Sequence, residues 1–363
     1  MSRRLTIWAP LPLDVYLARP SRPLPFPLNE PNYRLFSRAR HGLWHGVRAV
    51  GLRPGETVLT PAYNHGSEIE ALQRAGLACR FYEVGQDLQP DGEELESLLD
   101  PTVRALYLIH YFGMPQPVDH WRTWCDERGL LLIEDAAMAF LSSWQGRPIG
   151  SFGDLAIYCV YKSFGLPDGG AMICSASPAF PTSRRRLGII PVMNRHGSWL
   201  AQRQSSFATL HALLRGEKHY MLEADFGLGD AGSAPSLATV ALLPRLAHAE
   251  VAERRRRNYR FLLEGLADHT QPLFEDLPDG ACPVAFTMLL GGRRQVLLKD
   301  RLLDEGIRLA NFWPHMHPSL QGQRFPRSET LRANVVGLPV HQELRIQDLE
   351  LIVASVRTTI DST

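Results

Sequence analysis

One lysine and one aspartate are spaced so that they could meet in a reactive site. In the segment LLLIEDAAMAFLSSWQGRPIGSFGDLAIYCVYKSFGLPDGGAMIC (130–174), an apolar run ends in Glu134-Asp135. A second run ends at Cys159-Val160, Lys162 follows it, and Pro167-Asp168-Gly169-Gly170 turns the chain into a further run. Open α/β sheets bind ligands outside the carboxyl ends of parallel strands, so an aspartate closing one strand and a lysine just past another would face a single crevice. On spacing alone the simpler account is a surface lysine and a helix-capping aspartate.

Other candidates compete for attention. His41 and His45 lie four apart on one helix face, as metal ligands can, but no third ligand stands nearby, so packing or capping is the expected role. Gly227-Leu228-Gly229-Asp230-Ala231-Gly232 spells a dinucleotide-type glycine pattern. It follows no strand and Pro235 intrudes just after it, which favours a flexible loop. Arg254–Arg257 is a run of four arginines flanked by Glu250 and Glu253; on a helix these point in different directions and read as a solvated face. His315 and His317 sit on a proline-bounded loop.

The elements that must position these groups follow from the apolar pattern. Short runs at Glu56–Tyr63, Cys79–Val84, Ala105–His110 and Leu130–Glu134 alternate with amphipathic stretches near 67–75, 92–99 and 118–128. That alternation indicates βαβ units and a largely parallel sheet. Two further runs, Leu155–Val160 and Ala171–Cys174, extend it. A helix is expected over His41–Val50, helical pattern over 195–215, one long helix from Ser236 to about Leu266, and a last helix around 346–358. Residues 1–30 carry six prolines between Pro10 and Pro27 and read as an extended arm rather than a packed element. The expected division is this arm, a large α/β domain over 31–235 and a small α+β domain over 236–363.

Composition narrows the function classes. The 363 residues are 45% hydrophobic with a net charge of +1, which speaks against disorder and against a broad basic platform for nucleic acid or anionic lipid. No run reaches the roughly 18 apolar residues of a membrane span. Five scattered cysteines without a C-x-x-C pair fit a reducing compartment, so the expectation is a cytoplasmic enzyme with no resident metal.

The ordered motifs resemble the DegT/DnrJ group of sugar aminotransferases, which are pyridoxal-phosphate enzymes of fold type I. That family has E-D-x-A-x-A, then G-x-x-x-G-x-x-G-D, an aromatic-Ser pair, the cofactor lysine and a (D/E)-G-G turn. This chain has Glu134-Asp135-Ala136-Ala137-Met138-Ala139, Gly146 to Gly153-Asp154, Tyr158-Cys159, Lys162 and Asp168-Gly169-Gly170. Upstream, GLRPGETVLTPAYNHGSEIEALQRAG and His110-Tyr111-Phe112-Gly113-Met114-Pro115 resemble the family's early strand and its H-x-x-G-x-P turn. Downstream, Arg255-Arg256-Arg257-Asn258-Tyr259 and Leu338-Pro339-Val340-His341 resemble its small-domain signatures. The likeness runs over about residues 35–360.

The resemblance implies a large, mainly parallel α/β domain, a small C-terminal α+β domain, and a homodimer whose site is shared between chains. It implies that Lys162 holds pyridoxal 5'-phosphate as a Schiff base and moves a proton at the substrate carbon, while Asp135 keeps the pyridine nitrogen protonated. His65 falls where an aromatic ring stacks on the cofactor. Ser37, Arg38, Ala39 and Arg40 occupy the phosphate loop, and Cys159 stands where a serine usually reaches the phosphate. Met138 replaces a Gln or His that approaches the phenolic oxygen, and the stretch before Lys162 is about two residues shorter than in common members. The 227–232 loop would contact substrate. The implied reaction moves an amino group from a donor such as glutamate to a nucleotide-linked keto-sugar. The alternatives are a homologue that binds without transaminating and one that runs another reaction such as elimination.

Overall fold

The computed structural model describes residues 4–204 and 226–362. Seven strands form its main sheet in the order Arg34–Phe36, Gly170–Cys174, Leu155–Cys159, Leu131–Asp135, Val103–Ile109, Thr57–Pro61 and Ala78–Tyr82. The five strands from Leu155–Cys159 to Ala78–Tyr82 are mutually parallel, and the first two are antiparallel additions at one edge. Strands covered on both faces need continuous apolar runs rather than alternation. Every residue of Thr57–Pro61 and of Leu155–Cys159 is buried accordingly.

The parallel register sets the floor of a crevice. Asp135 ends its strand opposite Ile109 on one side and Ile157 on the other. Neighbouring residues on a strand point to opposite faces, and the Glu-Asp pair divides its work that way. The Glu134 carboxylate turns inward and accepts hydrogen bonds from the N–H groups of Gly150, Phe152 and Gly153 and from His110 Nε2. It therefore shapes the turn that leads to the lysine strand, leaving Asp135 for the crevice.

A second sheet, of four antiparallel strands in the order Gln271–Pro272, Ala285–Leu289, Val335–Pro339 and Ala310–Asn311, carries its own core. Tyr259, Leu262, Phe286, Leu298, Leu338 and Ile352 close that core. The long helix expected over 236–266 is two helices, Leu237–Leu246 and Glu250–Leu266. Pro244 withholds an N–H near the end of the first, and His248 Nε2 donates back to the Arg245 carbonyl at the break. Leu242, Leu243 and Val251 pack with the main core while Tyr259 and Leu262 pack with the second. The residues packed with the first core and those packed with the second thus meet within the second helix. The 195–215 reading ends as the helix Ile189–Arg203, and its remainder lies outside the described residues.

The N-terminal arm is packed, contrary to expectation. Leu5 and Leu11 are fully buried, Val15 nearly so, and Leu13–Tyr16 forms one 3-10 turn. Prolines stop the arm from making its own helix, but its apolar residues between them still find cores. No helix among the described residues is long and apolar enough to cross a membrane.

Candidate active site

Lys162 lies on a single turn, Val160–Ser163, immediately beyond the strand Leu155–Cys159. Its loop is fastened from several directions. The Val160 N–H donates to the Gly169 carbonyl, and the Gly169 N–H donates to Ser37. The Asp168 carboxylate accepts from the Ser236 N–H and hydroxyl and from Thr239 Oγ1, so this aspartate braces Ser236, which caps the helix Leu237–Leu246. Gly170 is needed for closure: a Cβ there would lie 2.2 Å from the Ala39 nitrogen. The Ser163 carbonyl accepts from Arg255 at 2.7 Å and from Gln342 at 3.2 Å.

Those last contacts correct the reading of the four arginines as a solvated face. Arg255 and Arg256 are buried. Arg255 spends its guanidinium on Gln342, Pro283 and Ser163, and Arg256 on the Pro278 and Ala281 carbonyls. A planar fork with five donors can satisfy several carbonyls at once, which a charge-counting view of the run does not register.

One cavity gathers Arg38, Ala39, Arg40, His65, Asp135, Met138, Cys159 and Lys162. Glu68, Tyr107, Tyr161 and Trp313 also line it, and sequence reasoning named none of them as site residues. Ser37 is placed outside this lining. Its hydroxyl donates to His41 Nδ1 at 3.2 Å, and its N–H donates to Ser233. A more open hollow beside the edge strand Ala78–Tyr82, lined by Arg80, Phe81, Glu94, Arg324 and Phe325, contains neither the lysine nor the aspartate.

The cavity is charged in an ordered way. Asp135 accepts from Tyr107 Oη at 2.7 Å and from the Ala137 N–H at 2.8 Å. Burial, then the neighbouring Glu68 carboxylate, push its pKa up, while Tyr107, Ala137 and Lys162 pull it down; the net direction is upward. Burial alone would lower Lys162, but Cys159, Tyr161, Asp135 and Glu68 outweigh it and hold the ammonium form. Glu68 is itself buried, accepting from the His65 N–H at 2.8 Å and from Ser67 Oγ at 3.2 Å. At the other end Arg38 caps the helix Ala39–Ala49 in an extended conformation without a side-chain hydrogen bond to the first turn. A helix start without a side-chain cap and with arginines at 38 and 40 suits an anion.

Nearby residues hold the walls. His41 and His45 donate to the Leu228 and Ala231 carbonyls, and Arg40 donates to Gly227. The glycine-rich loop is thus docked on the helix Ala39–Ala49, and both histidines serve it. His317 is buried, accepts from the Ser319 N–H and lies 3.7 Å from Glu70, while Trp313 is the residue of its loop that reaches the cavity. Arg332 joins the two walls, donating to Ala62 and Asn64 beside His65 and to Trp313 and His315. Replacing Arg332 with methionine strips four buried carbonyls of this donor and should cost about 3 kcal/mol of stability in a denaturant titration. An unchanged midpoint would show that the clamp does not matter.

The groups present fit a phosphorylated aldehyde with a basic ring nitrogen. The anion site, the amine and the buried carboxylate lie in one cavity, and the carboxylate and Glu68 leave room in the charge balance for a ring N–H cation. The chain matches a family model, that of the DegT/DnrJ/EryC1/StrS aminotransferase family, over residues 36–357. It is 25% identical over 330 residues to a UDP-N-acetyl-3-dehydro-alpha-D-glucosamine 3-aminotransferase of Acidithiobacillus ferrooxidans, covering 86% of this chain and 80% of that one. It is 26% identical over 324 residues to a dTDP-3-amino-3,4,6-trideoxy-alpha-D-glucose transaminase of Streptomyces venezuelae, covering 84% and 77%. In fold it is similar to the crystal structure of NtdA from Bacillus subtilis with bound cofactor PMP, with a TM-score of 0.65 at 15% identity over 91% of this chain and 73% of that one.

Proposed function

The chain belongs to the DegT/DnrJ/EryC1/StrS aminotransferase family and is an aminotransferase, and from that premise we propose that it uses pyridoxal phosphate in the Lys162–Asp135 cavity to move an amino group from an amino acid such as glutamate to a nucleotide-linked keto-sugar. The observation that carries this reading is the meeting of a half-buried amine, a buried carboxylate and two helix-start arginines in one cavity.

Bound there, the cofactor supplies an aldehyde for the incoming amine and a ring that draws electrons from the adjoining carbon. Arg38, Arg40 and the first N–H groups of Ala39–Ala49 hold its phosphate. Asp135, oriented by Tyr107 and Ala137, keeps a proton on the ring nitrogen. His65, also in the cavity lining, would offer its imidazole to the cofactor's ring. Lys162 holds the aldehyde and then moves a proton at the substrate carbon as general acid and base. Met138 donates no hydrogen bond to the phenolic oxygen, and buried Cys159 offers the phosphate a weaker donor than serine.

The relatives' names support a sugar acceptor on a nucleotide carrier. The large and small domains, the homodimer with a shared site and the cytoplasmic location belong to the same reading, and the five free cysteines agree with a reducing compartment. The test is the visible absorbance of the purified chain with added pyridoxal phosphate. Glutamate should bleach the band, and a UDP- or dTDP-linked keto-sugar should restore it. A band that no amino donor shifts would overturn transamination, and restoration by simple keto acids alone would overturn the sugar assignment.

A further inference from the structure

The N-terminal arm passes over the reactive lysine. It starts on the second sheet's side, where the Leu5 N–H donates to Gly306 at 2.7 Å and Leu5 in turn accepts from the Arg308 N–H at 2.9 Å. It then crosses the lysine loop at Gly165, where a Cβ would fall 2.3 Å from the Leu11 nitrogen and 2.4 Å from the Pro10 carbonyl carbon. Backbone passes against backbone there, so a side chain at 165 could not be accommodated by rotating something aside. The arm is locked at this point by His196 Nδ1 donating to the Leu11 carbonyl at 3.0 Å and by the burial of Ala9 and Leu11. Between its two anchorages the arm presents half-buried Trp8, packed against the main core, with its ring centroid 6.0 Å from Lys162 Nζ.

We propose that Trp8 is a positioning residue for Lys162: its indole face, delivered by the strapped arm, covers the amino group and keeps it directed into the Asp135 cavity. An aromatic face attracts an ammonium and excludes water from it. The other restraints on this loop, from Arg255, Gln342 and Gly169, act on the backbone at Ser163 and Val160. They fix where the lysine begins, whereas Trp8 acts on where its amino group ends. This inference rests on the reading of Lys162 as the reactive amine.

The chain carries three lysines, Lys162, Lys218 and Lys299, so amine labelling can be resolved residue by residue. The full chain is treated with acetic anhydride over a pH series, and peptides are quantified against exposed Lys299. Trp8→Ala should acylate at Lys162 about tenfold faster than wild type at a given pH, because both water access and the free amine increase. Trp8→Phe keeps a π face and should stay within about twofold of wild type. With pyridoxal phosphate added, the pH midpoint of the visible band should shift in Trp8→Ala and not in Trp8→Phe. Unchanged labelling and an unchanged midpoint in Trp8→Ala overturn the proposal, as does an equal change in both variants that follows a common loss of melting temperature. A wild type with no Lys162-dependent band fails the cofactor reading instead, and the labelling still decides the role of Trp8.

Discussion

Lys162→Ala and Lys162→Arg are both expected to lose the visible band of the cofactor-loaded chain and at least about a thousandfold in amino transfer, while folding as wild type does. The arginine variant is the informative one. It keeps a cation where Asp135, Glu68, Cys159 and Tyr161 favour one, so any loss cannot come from an unbalanced cavity. What arginine lacks is an amine that gives up its proton at working pH. The chain's own usage agrees: three lysines stand against 36 arginines, and one of the three is in the site. Where a fixed positive fork suffices, as at Arg38, Arg255 and Arg332, the chain uses arginine. Absorbance titration with pyridoxal phosphate and a glutamate half-reaction measure the effect. If Lys162→Arg retained the band and the glutamate response, another amine would have to be the carrier, and the assignment would collapse.

The parts of the site legible in the sequence are those set by local pattern. Apolar runs bounded by turn residues mark the strands, since strands buried on both faces must be continuously apolar. Asp135 and Lys162 sit at strand ends, and strand ends can be read from the same pattern. Other roles were hidden because they depend on partners far along the chain. Arg332 acts on carbonyls about 270 positions earlier, at Ala62 and Asn64. Arg255 acts on Ser163, and Trp8 lies over Lys162. Neither charge nor periodicity distinguishes a buried arginine satisfied by carbonyls from an exposed one. Glu68 was hidden for a different reason: an acidic residue in the first turn of Ser67–Arg74 is accounted for by helix-end electrostatics. Trp313 was overshadowed by the two histidines beside it, although it is the member of that loop that lines the cavity.

These hidden contacts share a direction. Arg255, Gln342, Arg332 and the arm all reach the cavity walls from outside the seven-stranded sheet. The sheet supplies Asp135 and the strand before Lys162, and the rest of the chain fixes the loops that those strand ends launch. A site built this way tolerates surface change on the sheet's helices but not loss of a guanidinium that bridges two walls.

Asp135→Asn should weaken pyridoxal phosphate binding by roughly ten- to a hundredfold, the worth of a hydrogen bond to a charged group. Its amino transfer should fall further, by about 10²- to 10³-fold, because the ring withdraws electrons only with its nitrogen protonated. The asparagine keeps the volume and can still accept from the Ala137 N–H, but an NH2 replaces the oxygen that accepts from Tyr107, so the variant loses the charge and one acceptor without a packing loss. Tyr107→Phe is the companion: it removes one donor from the carboxylate and should cost about tenfold, the low end for a hydrogen bond to a charged group. The pH profile separates charge from shape. Burial and Glu68 hold Asp135 above the ordinary aspartate range, so on acidification it takes up a proton before an exposed aspartate would. Wild-type cofactor affinity should therefore decline on the acid side as that carboxylate is neutralised, and Asp135→Asn should lack that limb. A variant that bound and transaminated as wild type, with the acid limb intact, would mean that the ring nitrogen takes its proton from elsewhere, with Glu68 as the remaining buried carboxylate of the cavity.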